Sequence, residues 1–258
     1  MLKQEVDLAE AKRRIAAFIK TKVKEAKSDG AVIGVSGGID SAVAAYLAVE
    51  ALGSRRVMGV IMPDLRVTTE SDISDAQTIV EELSLETKMV DIAPIHGAFM
   101  KNLGPNRLAE GNLRARIRMS LLYYFANSMN RLVVGTGDRS EVRLGYFTKF
   151  GDGGVDLLPL ADLYKTEVRR LGEILGVSRR IISKRSSPRL WPGQTAEGEL
   201  GLSYESIDTV FRMYFDQKLS VRSISSRLKI ESPRIQVLVS RYHESRHKRE
   251  MPQICKFR

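Results

Sequence analysis

The sequence has little of what several common kinds of functional site require. Among its 258 residues there is one cysteine, Cys255, which excludes an internal disulfide framework and a Cys-x-x-Cys metal site. Neither the GxxxxGKS/T phosphate loop nor the GxGxxG dinucleotide fingerprint occurs in it. The longest apolar runs fall far short of the roughly 20 residues that cross a bilayer, and the first residues contain no signal-peptide core. These absences predict a cytoplasmic protein without a membrane partner and without a thiol nucleophile.

The composition is that of a chain with one substantial core. Hydrophobic residues make up 43% of it. The net charge of +10 suits nucleic acid, an anionic small substrate or a basic surface, and charge alone does not choose among them. No like-charge block, low-complexity tract or internal repeat interrupts the sequence. We therefore predict a single domain over residues 1–258.

Short β-branched runs alternate with helical patterns along the first half of the chain. The runs lie at 31–35, 56–62, 87–92 and 131–137, and the helical patterns between them at 40–52, 70–84 and 107–129. This alternation is typical of a parallel sheet covered by helices on both faces. It predicts a three-layer α/β fold with strand order 3-2-1-4, a fifth short strand, and a C-terminal helical segment over about 203–250. Ligands bind such folds beyond the carboxyl ends of the strands.

The stretch GVSGGIDSAV, residues 34–43, joins the first predicted strand to a helical pattern. Glycine-rich loops in this position bind phosphate, because backbone N–H groups and the helix dipole both point at the anion. Asp40 has two interpretations here. It could cap the helix, or it could hold Mg²⁺, since this ion commonly joins one or two carboxylates to phosphate oxygens. The sequence context that follows favours the metal.

The SGGxDS pattern after a strand resembles the loop of N-type ATP pyrophosphatases, which cut ATP between its α and β phosphates to adenylate a substrate. On this motif alone, GMP synthetase, asparagine synthetase, tRNA-thiolating enzymes and NAD synthetase all stay open. Four further blocks, at 112–127, 135–168, 191–208 and 247–252, resemble those of ammonia-dependent NAD synthetase. The resemblance implies a Rossmann-like fold of the adenine nucleotide alpha hydrolase type. It also implies ATP-dependent amidation of deamido-NAD by ammonia, through an adenylated carboxylate. The alternative is another adenylating enzyme of this loop family, GMP synthetase-like or tRNA-modifying.

The same resemblance implies roles for individual residues. The expected ATP-binding residues are Gly34, Val35, Ser36, Gly37, Gly38, Ile39, Asp40, Ser41, Thr136, Lys165 and Ser187. The expected deamido-NAD contacts are Arg116, Lys149, Asp156, His247 and Lys248, with Tyr146 and Asp152 as further candidates. Asp40 and Glu141 are the expected Mg²⁺ ligands, and Asp40 and Lys165 the expected catalytic residues. Cationic side chains suit these roles, since both substrates carry phosphate groups.

The chain departs from the family pattern in two places. Asp138 stands where the family has Asn in an N-x-S-E stretch. In the loop at 183–200, Ser186, Pro188 and Ala196 stand where Pro, Ala and Asp are usual, so Glu197 is the candidate for the missing acid. The length and the Pro and Gly content of this loop predict a lid.

The apolar run over residues 119–125 is the kind of helical pattern found in cores and at interfaces. Members of the resembled family are homodimers whose helices meet in this region, so we expect an interface here. The predicted partners are a second copy of the chain and the small molecules ATP, deamido-NAD and ammonia.

The C-terminal sequence suggests a different class of function. Residues 220–242 have the cadence of a helix-turn-helix, which together with the positive charge suits a DNA-binding module. Its apolar positions are also those that any packed pair of helices needs, so we expect no nucleic acid partner. His243 to His247 match the HExxH pattern of zinc peptidases, but they lie in a basic stretch and we do not favour zinc.

Overall fold

The parallel sheet that the sequence predicts is the centre of the fold. The computed structural model describes residues 6–191 and 193–257. Within these residues the strands are β1 (Gly30–Gly34), β2 (Val57–Ile61), β3 (Glu86–Met89) and β4 (Arg131–Val134). All pairs are parallel and the order is β3-β2-β1-β4, which confirms the predicted order. The expected fifth strand is wrong for the residues that the structure describes, which form a four-stranded sheet and, beside it, an isolated bridge from Val134 to Leu157. Pro159 follows two residues later and has no N–H to extend the ladder.

Helices connect the strands and form the C-terminal part of the chain. In chain order they are α1 (Leu8–Glu25), α2 (Ile39–Leu52), α3 (Glu70–Glu82), α4 (Ala93–Met100), α5 (Arg107–Ser128), α6 (Arg139–Leu144), α7 (Lys165–Leu175), α8 (Arg179–Ile182), α9 (Ala196–Leu200), α10 (Tyr204–Phe211), α11 (Val221–Leu228), α12 (Ser232–Glu244) and α13 (Arg246–Arg249). A 3-10 turn at Ser54–Arg56 and a π-helical turn at Arg212–Asp216 complete the regular elements of the described residues.

The three layers follow from alternation along buried strands. In β1, Ala31 and Ile33 pack with α1, α2, α3 and α7, whereas Val32 packs on the other face with residues of α4 and α5. Successive side chains of a strand point to opposite faces, so a strand covered on both sides is apolar throughout. This arrangement explains why the inner strands β1 and β2 are continuous apolar runs, whereas the edge strand β3 is mostly exposed. It confirms the predicted α/β class.

The C-terminal helices form a second apolar cluster beside the sheet. Ile224, Ile235 and Leu238 are buried there with Tyr204 and Phe211. Packing therefore accounts for the apolar positions of the helix-turn-helix pattern. His243 and His247 fall on two different helices, α12 and α13, so the HExxH pattern is not one helical face. In the described part of the chain, no helix is long and apolar enough to cross a membrane.

Candidate active site

The loop after β1 has the geometry of a phosphate-binding turn. Gly37 has a φ of +75°, and a Cβ there would lie 2.3 Å from the backbone oxygen of Asp72, so no other residue fits. Ser36 Oγ and Ser41 Oγ lie 3.1 Å apart, and Ser41 Oγ donates to the backbone oxygen of Gly38 at 2.9 Å. Gly38 is the N-cap of α2, and the first amides of a helix have no partner within it. These amides are therefore available to an anion.

Asp40 is not the cap that the local sequence allowed, because it lies inside the first turn of α2. Its carboxylate instead meets Lys165, the fully buried first residue of α7. The Nζ atom of Lys165 lies 2.7 Å from Asp40 Oδ2, 2.9 Å from Asp138 Oδ2 and 3.0 Å from Glu141 Oε1. One ammonium group thus joins three carboxylates that come from α2, from the end of the β4 loop and from α6.

The charge balance of this cluster favours a second cation. Burial is the main cause that raises the pKa of Glu141 to about 8, against the opposing effect of Lys165. Burial likewise raises the pKa of Asp138 to about 6, again against Lys165. Burial lowers the pKa of Lys165, but the three carboxylates outweigh it and hold this pKa well above the ordinary value. The cluster therefore retains a proton near neutral pH, which a metal ion could replace.

Asp40 and Glu141 fit a magnesium ion that is shared with phosphate. Asp40 Oδ1 is buried and has no hydrogen-bond partner, so one oxygen next to the phosphate loop is free to bind a ligand. No group of three or more His, Cys, Asp or Glu side chains in residues 6–191 and 193–257 forms a metal site by itself. Mg²⁺ in nucleotide enzymes usually takes one or two carboxylates and completes its coordination with phosphate oxygens and water. The two carboxylates supply that partial set.

A layer of buried hydrogen bonds holds Lys165 in place. Asp208 Oδ1 accepts from Ser140 Oγ at 2.5 Å, and Asp208 Oδ2 accepts from the amide of Thr166 at 2.9 Å. Ser140 Oγ in turn accepts from the amide of Lys165 at 3.0 Å. The ring of Tyr204 lies 5.1 Å from the Lys165 ammonium. The C-terminal helical cluster therefore fixes the start of α7 and, with it, the catalytic candidate.

A cavity of about 720 Å³ opens in front of the phosphate loop. The predicted site residues that line it are Gly34, Val35, Ser36, Gly38, Ile39, Asp40, Ser41, Thr136, Glu141, Tyr146, Asp152, Ser187 and Lys248. The opposite wall is one face of α5, with Asn112, Ala115, Met119 and Leu122 at helical spacing. The cavity thus brings together most of the residues that the resemblance implied for ATP.

Most of the residues implied for deamido-NAD lie outside this cavity. Arg116 is exposed and donates to the backbone oxygen of Lys149 at 3.4 Å, and the Lys149 ammonium contacts the backbone oxygen of His247. The three residues form a strip on the surface, which continues into the cavity at Lys248. Asp156 accepts from the Tyr123 hydroxyl at 3.0 Å and from the Val133 amide at 2.8 Å.

The loop over 183–195 crosses the cavity and contacts both sides. Its Leu190 packs against α5 at Gly111, where a Cβ would lie 3.0 Å from Leu190 Cβ. Arg107 stacks over the ring of Trp191 at 4.5 Å. Ser187 Oγ is used within the loop, since it donates to the backbone oxygen of Gln194 at 2.6 Å. This placement is that of a cover over the phosphate loop.

The acidic residue that lines the cavity near this loop is Glu199, which the sequence pattern did not indicate. Glu199 lines the cavity and accepts from the Tyr146 hydroxyl at 2.5 Å and from Gln194 Nε2 at 3.2 Å. Glu197 accepts from the amide of Tyr204 at 3.0 Å and does not line this cavity. Glu197 therefore holds the start of α10, and of these two acids Glu199 is the one that lines the cavity.

Arg118 and Asp138 are two further residues to which sequence reasoning assigned no role in the site. Arg118 lines the cavity, where its Nε donates to the backbone oxygen of Met62 at 2.9 Å. Asp138 and Glu141 form a capping box at the start of α6. The D-x-x-E spacing was the available signal for this pair, whereas nothing local marked Arg118.

The chain is similar to known proteins over nearly its whole length. A family model described as NAD synthase matches residues 11–252. The NH(3)-dependent NAD(+) synthetase of Archaeoglobus fulgidus is 49% identical over 246 residues, covering 95% of this chain and 96% of that protein. The structure of NMN synthetase from Francisella tularensis is 34% identical with a TM-score of 0.87, covering 98% of this chain and 100% of that one. The NH3-dependent NAD synthetase from Campylobacter jejuni is 32% identical with a TM-score of 0.83, covering 97% and 100%.

Proposed function

Since the chain belongs to the NAD synthase family, we propose that it amidates deamido-NAD to NAD with ATP and ammonia. The observation that carries this proposal is the meeting of three features at one edge of the sheet. These are the phosphate loop, the convergent carboxylates of Asp40 and Glu141, and a cavity large enough for a nucleotide. We take the whole of residues 1–258 as one domain, since the family model spans nearly all of it.

The proposed reaction has two steps. An oxygen of the nicotinate carboxylate attacks the α phosphorus of ATP, and the bond to the β-phosphate oxygen breaks, so that pyrophosphate leaves. Ammonia then attacks the carbonyl carbon of the mixed anhydride, loses a proton and expels AMP. Neither step needs a nucleophile from the protein, which agrees with a site built from a phosphate loop, carboxylates and cations.

The residues around the phosphate loop have separate tasks in this scheme. The loop over 34–41 binds the ATP phosphates through its amides and hydroxyls, with Thr136 and Ser187 on the cavity wall. Lys165 holds the carboxylates of Asp40 and Glu141 at the end of that loop. Mg²⁺, for which those two carboxylates are the proposed ligands, would offset negative charge on the phosphates.

The surface strip formed by Arg116, Lys149 and His247 could bind the part of a dinucleotide that lies outside the cavity. Arg116, Lys149 and His247 lie next to one another outside the cavity, and Lys248 leads from them into it. We propose that these residues, with Asp156, bind deamido-NAD. Because the strip is exposed, a second copy of the chain could cover it.

A homodimer is part of the proposal. Tyr124 on α5 is 68% exposed and Phe150, next to Lys149, is 56% exposed, so both are large apolar groups available to an interface. Met119 and Leu122 line the cavity instead. The interface role predicted for the run over 119–125 is therefore best carried by Tyr124. The proposal needs no nucleic acid or membrane partner, and it places the enzyme in the cytoplasm.

The test is a coupled assay for NAD with purified chain, deamido-NAD, ATP and Mg²⁺. We expect ammonium to support NAD formation and glutamine at equal concentration to give none, with AMP and pyrophosphate formed in equal amounts. Cys255 is exposed, and Cys255→Ser should leave the ammonium-driven rate unchanged. Glutamine-driven turnover that this substitution abolishes would contradict the proposal.

A mononucleotide substrate is the second candidate, because an NMN synthetase is similar to this chain over nearly its full length. The assay therefore includes nicotinate mononucleotide in place of deamido-NAD. We expect deamido-NAD to have the higher kcat/KM, since the surface strip lies beyond the cavity. A higher kcat/KM for the mononucleotide would move the assignment to NMN synthesis.

The loop over 183–195 is expected to be better protected when the site is filled. Closure over an acyl adenylate would exclude water from it. Arg185 is exposed in this loop, so trypsin should cut after it in the free protein. Limited proteolysis should show slower cutting there when ATP and deamido-NAD are both present. Cutting after Lys256, in the exposed tail, is the control, and equal rates in the loop with and without ligands would remove the role of a lid.

A further inference from the structure

Two buried aspartates on α3 form ion pairs with cations of the loop over 183–195 and of α8. Asp72 and Asp75 are 4% and 0% exposed. Lys184 Nζ lies 2.5 Å from Asp72 Oδ1 and 2.6 Å from Asp75 Oδ2. Arg189 Nε lies 2.9 Å from Asp72 Oδ2, and Arg180 pairs with Asp75. The carboxylates are buried, whereas the side chains of Lys184, Arg189 and Arg180 are 19%, 32% and 59% exposed, so each cation keeps a face open to the cavity or to solvent.

This cluster adjoins the phosphate loop directly. The ammonium of Lys184 lies 3.4 Å from the backbone oxygen of Gly37, and Gly37 itself packs against the backbone of Asp72. Lys184 and Arg189 both line the cavity. Two cations that the family resemblance did not assign therefore stand beside the turn that binds phosphate.

The charges of the cluster leave a positive excess at this place. Three cations, Lys184, Arg189 and Arg180, meet two carboxylates, Asp72 and Asp75. The Lys165 cluster has the opposite balance, with three carboxylates around one ammonium. The Lys165 cluster, on one side of the phosphate loop, therefore has excess negative charge that an added cation would balance. The Asp72–Asp75 cluster, on the other side, has excess positive charge that could bind an added anion.

We propose that Lys184 and Arg189 bind the pyrophosphate group, both as the β and γ phosphates of ATP and as the leaving product. Asp72 and Asp75 are the positioning residues that hold these cations beside the loop. Cations fixed in advance where charge develops on a leaving group stabilise the transition state without reorganisation. The role of the leaving group rests on the proposed function, but the binding of pyrophosphate itself can be measured without turnover.

The experiment is calorimetric titration of the purified chain with inorganic pyrophosphate in the presence of Mg²⁺, at constant ionic strength. Lys184→Gln and Arg189→Gln are each expected to weaken pyrophosphate binding by about tenfold or more, as loss of a charge-assisted contact should. AMP, which lacks the β and γ phosphates, should bind all variants within about twofold of the wild type. Lys184→Arg should restore most of the affinity because it keeps the charge.

Arg179→Gln is the matched control, since Arg179 is an exposed cation on α8 that does not line the cavity. It should leave both affinities unchanged. Pyrophosphate affinity that survives in both Gln variants would overturn the proposal. So would an equal loss of AMP and pyrophosphate binding, because that result indicates a general disturbance of the site. If the chain makes no NAD yet shows the selective loss, the proposed function fails while this assignment stands.

Discussion

Replacing Lys165 with methionine is expected to lower kcat for NAD formation by about a thousandfold or more, which corresponds to roughly 4 kcal/mol of barrier. The residue is fully buried, and its ammonium is within 3.0 Å of three carboxylates. Without it, Asp40, Asp138 and Glu141 would repel one another in a place with little solvent. They would then take up protons or move apart, and both outcomes remove the metal-binding pair.

The matched control is Lys20→Met, at an exposed lysine on α1, which should keep the wild-type kcat. Circular dichroism and thermal unfolding separate a folded, inactive variant from a misfolded one, because removing one partner of a buried ion pair costs about 3–5 kcal/mol. Lys165→Gln, which keeps a hydrogen-bond donor for one carboxylate, is the second variant. A folded Lys165→Met protein whose kcat stays within tenfold of the wild type would refute the catalytic role.

The sequence predicts the sheet well because the patterns that indicate strands and helices are formed by residues close together in the chain. β1, β2 and the end of β4 are short apolar runs whose residues pack on both faces, whereas the edge strand β3 is mostly exposed. Each connecting helix has its own periodic pattern. The expected fifth strand is not found among the described residues, where the chain beside Pro159 forms only an isolated bridge to Val134. The phosphate loop is likewise local, since Gly37 and its neighbours form one turn.

The residues of α5 that line the cavity could not be identified from the family motif alone. The resemblance implied Arg116, but Asn112, Ala115, Met119 and Leu122 are the positions that face the cavity. Arg116 is four residues after Asn112, so helical spacing alone does not exclude it from this face, yet it is exposed and donates to the backbone oxygen of Lys149. The side chain of Arg118 instead reaches the cavity and donates to the backbone oxygen of Met62.

The clusters of charge could not be predicted from local pattern. Lys165 and Asp40 are 125 residues apart in the chain, and Lys184 and Asp75 are 109 apart. Their pairing depends on how α2, α3 and α7 pack, and each residue alone reads as an ordinary surface charge or helix cap. The pKa of Glu141 depends on the same packing, so the sequence suggested a metal ligand but not the protonation that accompanies it.

Asp40→Asn and Glu141→Gln are each expected to lower kcat about a hundredfold, or roughly 2.7 kcal/mol, at saturating Mg²⁺. Each substitution removes one proposed metal ligand and keeps the shape of the side chain. Glu141→Gln also keeps a side-chain oxygen that can accept from the backbone N–H of Asp138, which donates to Glu141 Oε2 at 3.3 Å. Asp29→Asn, at an acid that accepts from Asn130 at 3.1 Å outside the cavity, is the control that should keep full activity.

The same Glu141→Gln variant should be more stable than the wild type when no ligand is present. Burial raises the pKa of Glu141 to about 8, so between its ordinary pKa and pH 8 the folded state binds more protons than the unfolded state. Stability from this group is then greatest at low pH and falls as the pH rises through that interval. The neutral amide avoids this loss. The Tm of the variant should therefore exceed that of the wild type only slightly at pH 5 and by at least about 2–4 °C at pH 8, which is the shift that about 1 kcal/mol gives in a chain of this size.

Saturating ATP and Mg²⁺ should reverse the order of the two Tm values, because only the wild type gains the full metal contact. A variant that is less stable than the wild type at pH 8 without ligand would show that Glu141 is a structural partner of Lys165 and not a carboxylate kept at a cost for binding the metal.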